Sequence, residues 1–400
     1  MTSAGILYDL YWCGVAFAAY TYAAYPAVLI LYARARPWPV RRAGGGAPLP
    51  TVSVVLAVRN EEAAVARRVG EFTRQIIEGG LTGEIVVVSD GSTDDTARVA
   101  LGLTGGRVPV TVIDLPENVG KAEALSVGCA SAAHEILAFA DARQTWADDA
   151  LTRLLENFAD PDVGAVSGEL IVENAPGVMA GVGLYWRYEK ALRRLESLVH
   201  STVGVTGAIA AVRRSAFRPV PRGTVLDDVY WPLRVVMGGD RVVFDGRARA
   251  FDRLPDEVHA ELRRKVRTLA GNFQLIARLP GALLPWRNPV WFALISHKLM
   301  RLAVPWCFLG IALLAAAVGG RLYLGLLAAQ LGLTLVGLAG LVPRVAARSR
   351  AASAAGSFLI LNAAAFLAFW VWASGGAARS WTRTRYRPAP TAASYPGVAR

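Results

Sequence analysis

The sequence predicts an α/β protein, in which a doubly wound sheet domain is flanked by transmembrane α-helices. Long apolar runs stand near both ends of the chain, at residues 6–33 and 303–374, and the whole sequence is 54% hydrophobic. Between them, short β-branched segments alternate with helical ones, which is typical of sheets built from strand–helix–strand units. The net charge of +12 suits nucleic acid or an anionic membrane surface. The apolar ends favour membrane lipids, so no nucleic acid is expected as a partner.

The first segment, residues 1–36, is predicted to be a membrane anchor. Only Asp9 interrupts its apolar run, which exceeds the ~20 residues that a spanning helix needs. A cleaved signal peptide is less favoured, because a positive n-region is absent and the run is longer than the usual ~7–15 residues. Four arginines follow the run: Arg34, Arg36, Arg41 and Arg42. By the positive-inside rule this flank is cytoplasmic and the N-terminus lies outside.

After a Pro/Gly linker at 37–50, residues 51–286 are predicted to form the sheet domain. Four short apolar segments predict buried strands, at 51–58, 84–90, 108–114 and 135–141. Helices are predicted between them, and three later segments also look like strands, at 163–170, 203–212 and 241–251. In doubly wound sheets, ligands bind at the carboxyl ends of the strands. Polar residues stand there in this sequence: Asn60 to Glu62, Asp90 to Ser92, and Asp141.

Towards the end of the chain the membrane pattern returns. Residues 287–302 predict an amphipathic helix in the membrane interface, with His297, Lys298 and Arg301 opposite its apolar side. Residues 303–375 are expected to hold about three C-terminal spans, at 303–319, 322–342 and 356–373. The loop before the last span carries Arg344, Arg348 and Arg350 and is expected in the cytoplasm.

The basic tail, residues 376–400, conflicts with this count of spans. Four spans place the C-terminus outside together with the N-terminus, yet the tail carries five arginines. Either the tail is an exception to the positive-inside rule, or the count is off by one.

The cysteines and histidines do not indicate a metal centre. Cys13, Cys129 and Cys307 are far apart and form no CxxC pair, so neither a disulfide framework nor a zinc site is expected. The four histidines are isolated from one another, which favours structural roles.

The predicted strand ends combine carboxylates with a Gly-Lys element, which suits a nucleotide diphosphate. Asp90 with the following Gly91 and Ser92 offers acceptors for hydroxyls and amides, and Lys121 after Gly120 offers positive charge for phosphate. The element is not a Walker loop, because no GxxxxGK[ST] occurs, and no GxGxxG follows the first strand.

Seven short motifs mark this part of the chain: AVRNEE at 57–62, VVSDGSTDDT at 87–96, ENVGKAEAL at 117–125, FADA at 139–142, VTGAIAAVRR at 205–214, LDDVYWPL at 226–233 and RKVRTLAG at 264–271. Together they resemble glycosyltransferase family 2, in the membrane-embedded branch of cellulose and hyaluronan synthases. The pairing of DGSTDDT with NEE about 30 residues earlier is specific. The resemblance covers about residues 51–300 and implies a GT-A type, doubly wound mixed sheet.

On the donor side, the resemblance implies a role for each matching residue. Glu62 and Asp90 would contact the nucleobase and ribose, and Lys121 would lie beside the nucleotide. Asp141 would stand at the position of the nucleotide sugar and the metal, with Mg²⁺ or Mn²⁺ as cofactor. Arg267, matching the Arg of the family's QxxRW segment, would bind the departing diphosphate and stabilise its charge.

On the acceptor side, the resemblance makes Asp228, the last acid of the LDD motif, the general base. In an inverting transfer the acceptor hydroxyl attacks from the face opposite the leaving nucleotide, where a carboxylate must take its proton. Asp227 would orient this base, and Thr206 and Gly207 would lie on the acceptor side.

Two positions depart from the family pattern. The usual Asp-x-Asp reads Asp141-Ala142-Arg143. Either Asp141 alone holds the ion with water and phosphate, or Arg143 takes over part of the charge within the nucleotide-sugar site. At the Trp of QxxRW this chain has Thr268. That Trp would offer a stacking face to an acceptor sugar, so its loss argues against long, processive polymer synthesis.

The resemblance thus implies an inverting transferase that moves a hexosyl or N-acetylhexosaminyl group from a UDP- or GDP-linked donor to a lipid-linked or growing saccharide acceptor. It would be a multi-pass protein of the inner (plasma) membrane, with a cytoplasmic catalytic domain, in polysaccharide biosynthesis of the cell envelope. The alternative is a non-catalytic sugar-nucleotide sensor or a scaffold subunit of a polysaccharide export complex. Asp-x-Arg motivates that alternative, whereas the presence of Asp228 and Arg267 argues for an enzyme.

Overall fold

A computed structural model of the chain describes residues 3–172, 179–252 and 258–376. The strands are β1 (Val52–Val58), β2 (Gly83–Asp90), β3 (Val110–Leu115), β4 (Ile136–Ala140), β5 (Thr145–Trp146), β6 (Val163–Val172), β7 (Ile209–Arg213) and β8 (Arg241–Asp252). The helices are α1 (Ser3–Ala19), α2 (Tyr25–Ala35), α3 (Glu62–Glu78), α4 (Thr96–Leu101), α5 (Lys121–Ser131), α6 (Ala150–Glu156), α7 (Met179–Val199), α8 (Asp227–Met237), α9 (Val258–Arg278), α10 (Trp291–Ala293), α11 (Met300–Val318), α12 (Gly320–Gly340), α13 (Pro343–Arg348) and α14 (Arg350–Ala373). Segments of π-helix join α1 to α2 (Tyr20–Ala24) and α10 to α11 (Leu294–Leu299).

The described strands form one mixed sheet in the order β3-β2-β1-β4-β7-β6-β8-β5. The first four strands along the chain are parallel, as the strand–helix–strand pattern predicts, because a helix joins each of them to the next and carries the chain back across the sheet. β7 runs antiparallel to both β4 and β6, which makes the sheet mixed. The carboxyl ends of β1, β2 and β4 therefore meet at one edge, where their polar residues gather.

Helices cover both faces of the sheet and bury its apolar side chains. On one face, α3 and α6 pack side chains such as Phe72 and Leu151 against the strands. On the other face, α5 and α8 contribute Leu125 and Trp231. Each such side chain, when fully buried, stabilises the fold by about 1.5–3 kcal/mol. The strands are apolar on both faces for this reason, which is why they read as continuous apolar runs.

Four helical segments are long and apolar enough to cross a membrane: Gly5–Ala35, Trp291–Val318, Gly320–Gly340 and Arg350–Ala373. The last of them packs against α12 and α11 and also against α7 and α9, so it joins the helical bundle to the sheet domain. A Cβ atom at Gly340 would stand 1.8 Å from the Ala352 carbonyl oxygen. Only glycine permits that approach of α12 to α14, as is usual for small residues between membrane helices.

The helix predicted at 287–302 has other bounds in the structure, and its place in the membrane interface stays a prediction. The helical segment runs on without a break from Trp291 to Val318. Its polar side chains face the protein: the His297 Nδ1 atom lies 2.6 Å from a Glu196 oxygen, and Arg301 donates to Glu189 over 2.9 Å. The amphipathic pattern arises because this face packs on α7, whose carboxylates it neutralises.

Two further differences concern the later segments. The predicted strand at 203–212 is shorter, since β7 begins at Ile209 and the preceding residues form a loop. The predicted cytoplasmic loop before the last span contains the short helix α13. The basic tail, residues 376–400, lies outside the described residues apart from residue 376.

Candidate active site

Asp90, at the end of β2, shapes the segment that leads to Lys121. Its carboxylate is 2% exposed and accepts the backbone N–H groups of Val119 at 2.7 Å and Gly120 at 3.1 Å. The next residue, Gly91, has a φ of +58°, and a Cβ there would lie 2.4 Å from the Asn118 nitrogen. The DG pair of the motif is thus required to bring two loops into contact.

Lys121, at the start of α5, forms an ion pair with Asp141 at the end of β4. The Lys121 Nζ atom lies 2.6 Å from Asp141 Oδ1, and each side chain is 32% exposed. Burial lowers the pKa of Lys121, but the charges of Asp141 and Asp227 more than offset this and raise the pKa overall. Lys121 is therefore a cation at neutral pH, and it lines a small recess together with Phe139 and Trp231.

Asp227 and Asp228 begin α8 on the other side of this recess. A Cβ at Gly207 would lie 3.6 Å from Lys121 Nζ and 3.8 Å from Asp228 Oδ2, so the lysine and the carboxylate flank the same glycine. The loop before β7 is held there because Val205 donates its N–H to the Asp228 carbonyl over 2.8 Å. Five of the predicted residues, from four different parts of the chain, are thus brought together: Lys121, Asp141, Gly207, Asp227 and Asp228.

The two α8 carboxyls have raised pKa values. Burial, followed by the charge of Asp227, raises the pKa of Asp228 to about 6. The cations of Lys298, Lys121 and Arg193 oppose that rise. Burial likewise raises the pKa of Asp227, against the charge of Lys121. A carboxylate with a pKa near 6 is ionised at neutral pH and is a stronger base than an ordinary aspartate.

Arg143 is turned to a carboxylate on β8. Its guanidinium is ion-paired with Asp252, to which Gln144 also donates over 3.0 Å. Its predicted place in the nucleotide-sugar site stays a prediction. Two arginines of α3 that were not predicted as site residues hold the backbone here. Arg68 donates to the Asp141 carbonyl over 3.1 Å and Arg67 to the Ala142 carbonyl over 2.9 Å.

Glu62 and Arg267 occupy less central positions. Glu62 begins α3 and accepts the backbone N–H of Asp95 over 3.1 Å, which links the loops after β1 and β2. Arg267 is half-buried on α9, the helix that packs on α14. The roles that the resemblance implies for both residues stay predictions.

Two cations near Asp228 were not predicted as site residues. Arg193 of α7 donates to the Thr206 hydroxyl over 2.8 Å, directly beside Gly207. Lys298 lies in the first C-terminal span, and its charge acts on Asp228. No local pattern could have identified them, because α7 and the span come together with α8 only in the folded chain.

The side chains here do not by themselves fit a protein-held divalent ion. The described residues contain no group of three His, Cys, Asp or Glu side chains that could hold one. Asp141 is paired with Lys121, and its neighbour in the motif is an arginine turned away to Asp252. Mg²⁺ and Mn²⁺ prefer about six oxygen ligands, so most of them would have to come from a substrate and water.

Two family models match the chain. One, described as glycosyl transferase family 2, matches residues 53–220, and the other, described as glycosyl transferase family group 2, matches residues 140–371. Among curated proteins, the chain is 24% identical over 201 residues to the poly-beta-1,6-N-acetyl-D-glucosamine synthases of Staphylococcus aureus strain COL and of Staphylococcus epidermidis. These matches cover 49% of this chain and 48% of each relative, so they span about half the length of those proteins.

A solved structure shares the fold over nearly the whole chain. The mannosyltransferase PcManGT from Pyrobaculum calidifontis, in complex with GDP-Man and Mn²⁺, superimposes with a TM-score of 0.68 at 22% sequence identity. The match covers 91% of this chain and 99% of that one. It confirms the predicted fold class, a GT-A type mixed sheet domain with flanking apolar helices.

Proposed function

The chain belongs to glycosyl transferase family group 2, and we propose that it moves a sugar with inversion from a nucleotide-sugar donor to a lipid-linked or growing saccharide acceptor at the cytoplasmic face of the plasma membrane. One observation carries this proposal. The Lys121–Asp141 pair and the Asp228 carboxylate converge on Gly207, with the cation for a diphosphate on one side and a base on the other. A scaffold or sensor would not need a base of raised pKa at that point.

On the donor side, we assign the nucleotide to the edge formed by the ends of β1, β2 and β4. Asp90 acts chiefly by ordering the residues before Lys121, since its carboxylate already accepts two of their N–H groups. Lys121 exchanges part of its contact with Asp141 for the donor phosphates. Glu62 lies beside the base and ribose. The donor would be GDP- or UDP-linked, which the GDP-Man in the similar mannosyltransferase supports.

In the transfer step, Asp228 takes the proton of the acceptor hydroxyl while the hydroxyl oxygen attacks the anomeric carbon. The bond from that carbon to the diphosphate oxygen breaks, and its electron pair leaves with the nucleotide diphosphate. Lys121 and Arg267 hold the negative charge that develops there. Because attack and departure occur on opposite faces of the sugar, the product has the inverted configuration.

A divalent ion, Mg²⁺ or Mn²⁺, is proposed to arrive with the donor diphosphate. The Mn²⁺ in the similar mannosyltransferase supports this. Asp141 is the side chain of this chain that would touch it, and the ion would offset phosphate charge. No catalytic step is assigned to it.

The proposal is tested by incubating membranes that contain the full chain with a panel of labelled sugar nucleotides and measuring nucleotide release and labelled lipid or polymer. Asp228→Asn should lower the transfer rate about 10²–10⁴-fold, because a general base contributes that much. Nucleotide binding should stay nearly intact. Asp240→Asn, about 15 Å away past the far end of α8, is the matched control. Retained turnover in Asp228→Asn would overturn the base assignment, and no release with any donor would favour the sensor or scaffold.

A further inference from the structure

A second cluster of charges lies between α7 and the first C-terminal span, next to the proposed base. We call it the α7–span cluster; its members are Glu189, Arg193, Glu196, His297, Lys298 and Arg301. Glu189, Arg193 and Glu196 are three or four residues apart and so share one face of α7. His297 and Arg301 meet that face from the span. The catalytic domain and the membrane helices are joined through these side chains.

Both carboxylates of the cluster have partners within it. Glu189 lies 2.9 Å from Arg301 and 3.0 Å from the His297 Nε2 atom. Glu196 lies 2.6 Å from the His297 Nδ1 atom and accepts the Tyr25 hydroxyl over 2.9 Å. Burial raises the pKa of Glu189, but the charges of His297 and Arg301 more than offset this and hold the pKa well below its usual range.

Within the described residues, the remaining two cations, Arg193 and Lys298, have no ion-pair partner, because no carboxylate oxygen lies within 4 Å of either charged group. Arg193 donates to the neutral hydroxyl of Thr206, and both side chains are half-buried. The carboxylates of Glu189, Asp228 and Glu196 act on Lys298 from beyond ion-pair distance. Two like charges in a partly desolvated place are nevertheless costly unless an anion contacts both of them.

The positions of Arg193 and Lys298 indicate that an anion bound by them would lie on the acceptor side of Asp228. Thr206 precedes Gly207, which flanks the Asp228 carboxylate, so Arg193 stands at the acceptor side of the base. Lys298 belongs to a segment that is long and apolar enough to span the membrane, and it lies only seven residues from the start of that segment at Trp291. The donor diphosphate, in contrast, is assigned to Lys121 and the strand ends.

We propose that Arg193 and Lys298 bind the phosphate group of a lipid-linked acceptor, and so hold its sugar hydroxyl against Asp228. This rests on the proposed function and narrows it, because an uncharged saccharide would leave both cations without an anion in direct contact. A phosphate accepts several charge-assisted hydrogen bonds at once, as an arginine and a lysine together can provide. The lipid chain would leave towards the bilayer along the first C-terminal span.

The test measures binding to the purified full chain in detergent, by native mass spectrometry, and needs no catalysis. Three probes are compared: a long-chain polyprenyl phosphate, the polyprenol that lacks only the phosphate, and inorganic phosphate. The wild type should prefer the polyprenyl phosphate over the polyprenol. Arg193→Gln and Lys298→Gln should each lower that preference about tenfold, as expected for one hydrogen bond to a charged group. Lys298→Arg should keep most of it, which separates loss of charge from loss of fold.

Arg194→Gln is the matched control, because Arg194 is next in the chain but pairs with Glu169 and is 59% exposed. It should leave the preference unchanged. Equal binding of the polyprenol and its phosphate by the wild type, or an unchanged preference in both Gln variants, would overturn the proposal. Inorganic phosphate that binds as tightly as the lipid would overturn the lipid part of it. Since binding is read without turnover, a failure here is distinguishable from a failure of the transferase proposal.

Discussion

At the residue scale, burial and a few neighbouring charges set the protonation states of the two central side chains, Lys121 and Asp228. Lys121 is held between the carboxylates of Asp141 and Asp227 and stays protonated. Asp228 is a stronger base than an exposed aspartate, because burial and Asp227 disfavour its ionised form. Burial and neighbouring charge thus provide the two groups that the transfer needs. Lys121 is a cation for the leaving phosphate, and Asp228 is a base that is ionised at neutral pH.

The transfer rate should depend on pH through Asp228. The base works only when ionised, and its pKa is about 6, so the rate should fall about tenfold per unit below that pH and be level above about pH 7. The measurement is the rate of nucleotide release at saturating donor between about pH 5 and 8. A rate that is level down to about pH 5 would contradict this assignment.

The metal requirement should be weak and should respond to position 143. Chelation with EDTA should lower transfer, and Mg²⁺ or Mn²⁺ should restore it only at about millimolar concentration, as expected of a site with few protein carboxylates. Arg143→Asp, which recreates Asp-x-Asp, should lower the half-saturating concentration about tenfold, by adding a carboxylate ligand. Arg143→Gln serves as the control, since it removes the cation without adding a ligand. Half-saturation that is the same in all three proteins would count against Asp141 as the ligand.

At the element scale, helix α3 supports the strand end from which Asp141 projects. Arg68 is fully buried and stacks on the Phe72 ring, with its guanidinium carbon 4.4 Å from the ring centroid. It forms an ion pair with Glu71 at 2.5 Å, and Glu71 in turn accepts the Trp146 N–H over 2.8 Å. The helix thereby orders the whole turn between β4 and β5, including the Asp141 carbonyl.

Arg68→Met should destabilise the protein by about 3–5 kcal/mol, because it leaves the buried carboxylate of Glu71 without its closest cation. The expected result is a clear drop in the midpoint of thermal unfolding in detergent. Arg74→Met on the same helix removes only an exposed pair with Asp148 and should change stability by less than about 1 kcal/mol. Similar midpoints for the two variants would show that the buried pair does not support this turn.

At the scale of the whole molecule, the four candidate spans bracket the sheet domain. The first C-terminal candidate span begins at Trp291, directly after the domain, and α12 follows it in the chain. From this count of spans we expect the short segment with α13 on the side of the catalytic domain, which its arginines also predict. Phe273 on α9 stacks on Trp372 of α14, so the last helix packs on the domain as well.

Single cysteines introduced at Arg348 and at Asp149 of the sheet domain should label alike, in a chain whose three own cysteines are replaced. Both should be protected from a membrane-impermeant maleimide in intact cells and should react after the membrane is opened, since both are expected in the cytoplasm. A cysteine at Ser3 should react without opening. Labelling of position 348 in intact cells would contradict the proposed orientation.

Much of the architecture follows from local sequence. The first four strands and the acids at their ends were predicted within one or two residues, since strand length, β-branching and turn residues are local properties. The bounds of the helix predicted at 287–302 were not obtained in this way. An amphipathic pattern does not distinguish a face that packs on another helix, here α7, from one that lies in the membrane interface. The predicted start of β7 at residue 203 was also wrong, because the N–H groups of the residues before Ile209 donate hydrogen bonds to α8 and β6 instead.

The sequence by itself determined the fold class, the apolar helices at both ends and the position of Asp90, Lys121, Asp141 and Asp228 in the family's motifs. Only the tertiary structure decided which charges meet. Arg143 forms an ion pair with Asp252, and the charge of Lys298 acts on Asp228, although the members of each pair are far apart in the chain. The physical reason is that hydrophobic patterning specifies which face of an element is buried, whereas the partner of a buried charge depends on the packing of distant elements.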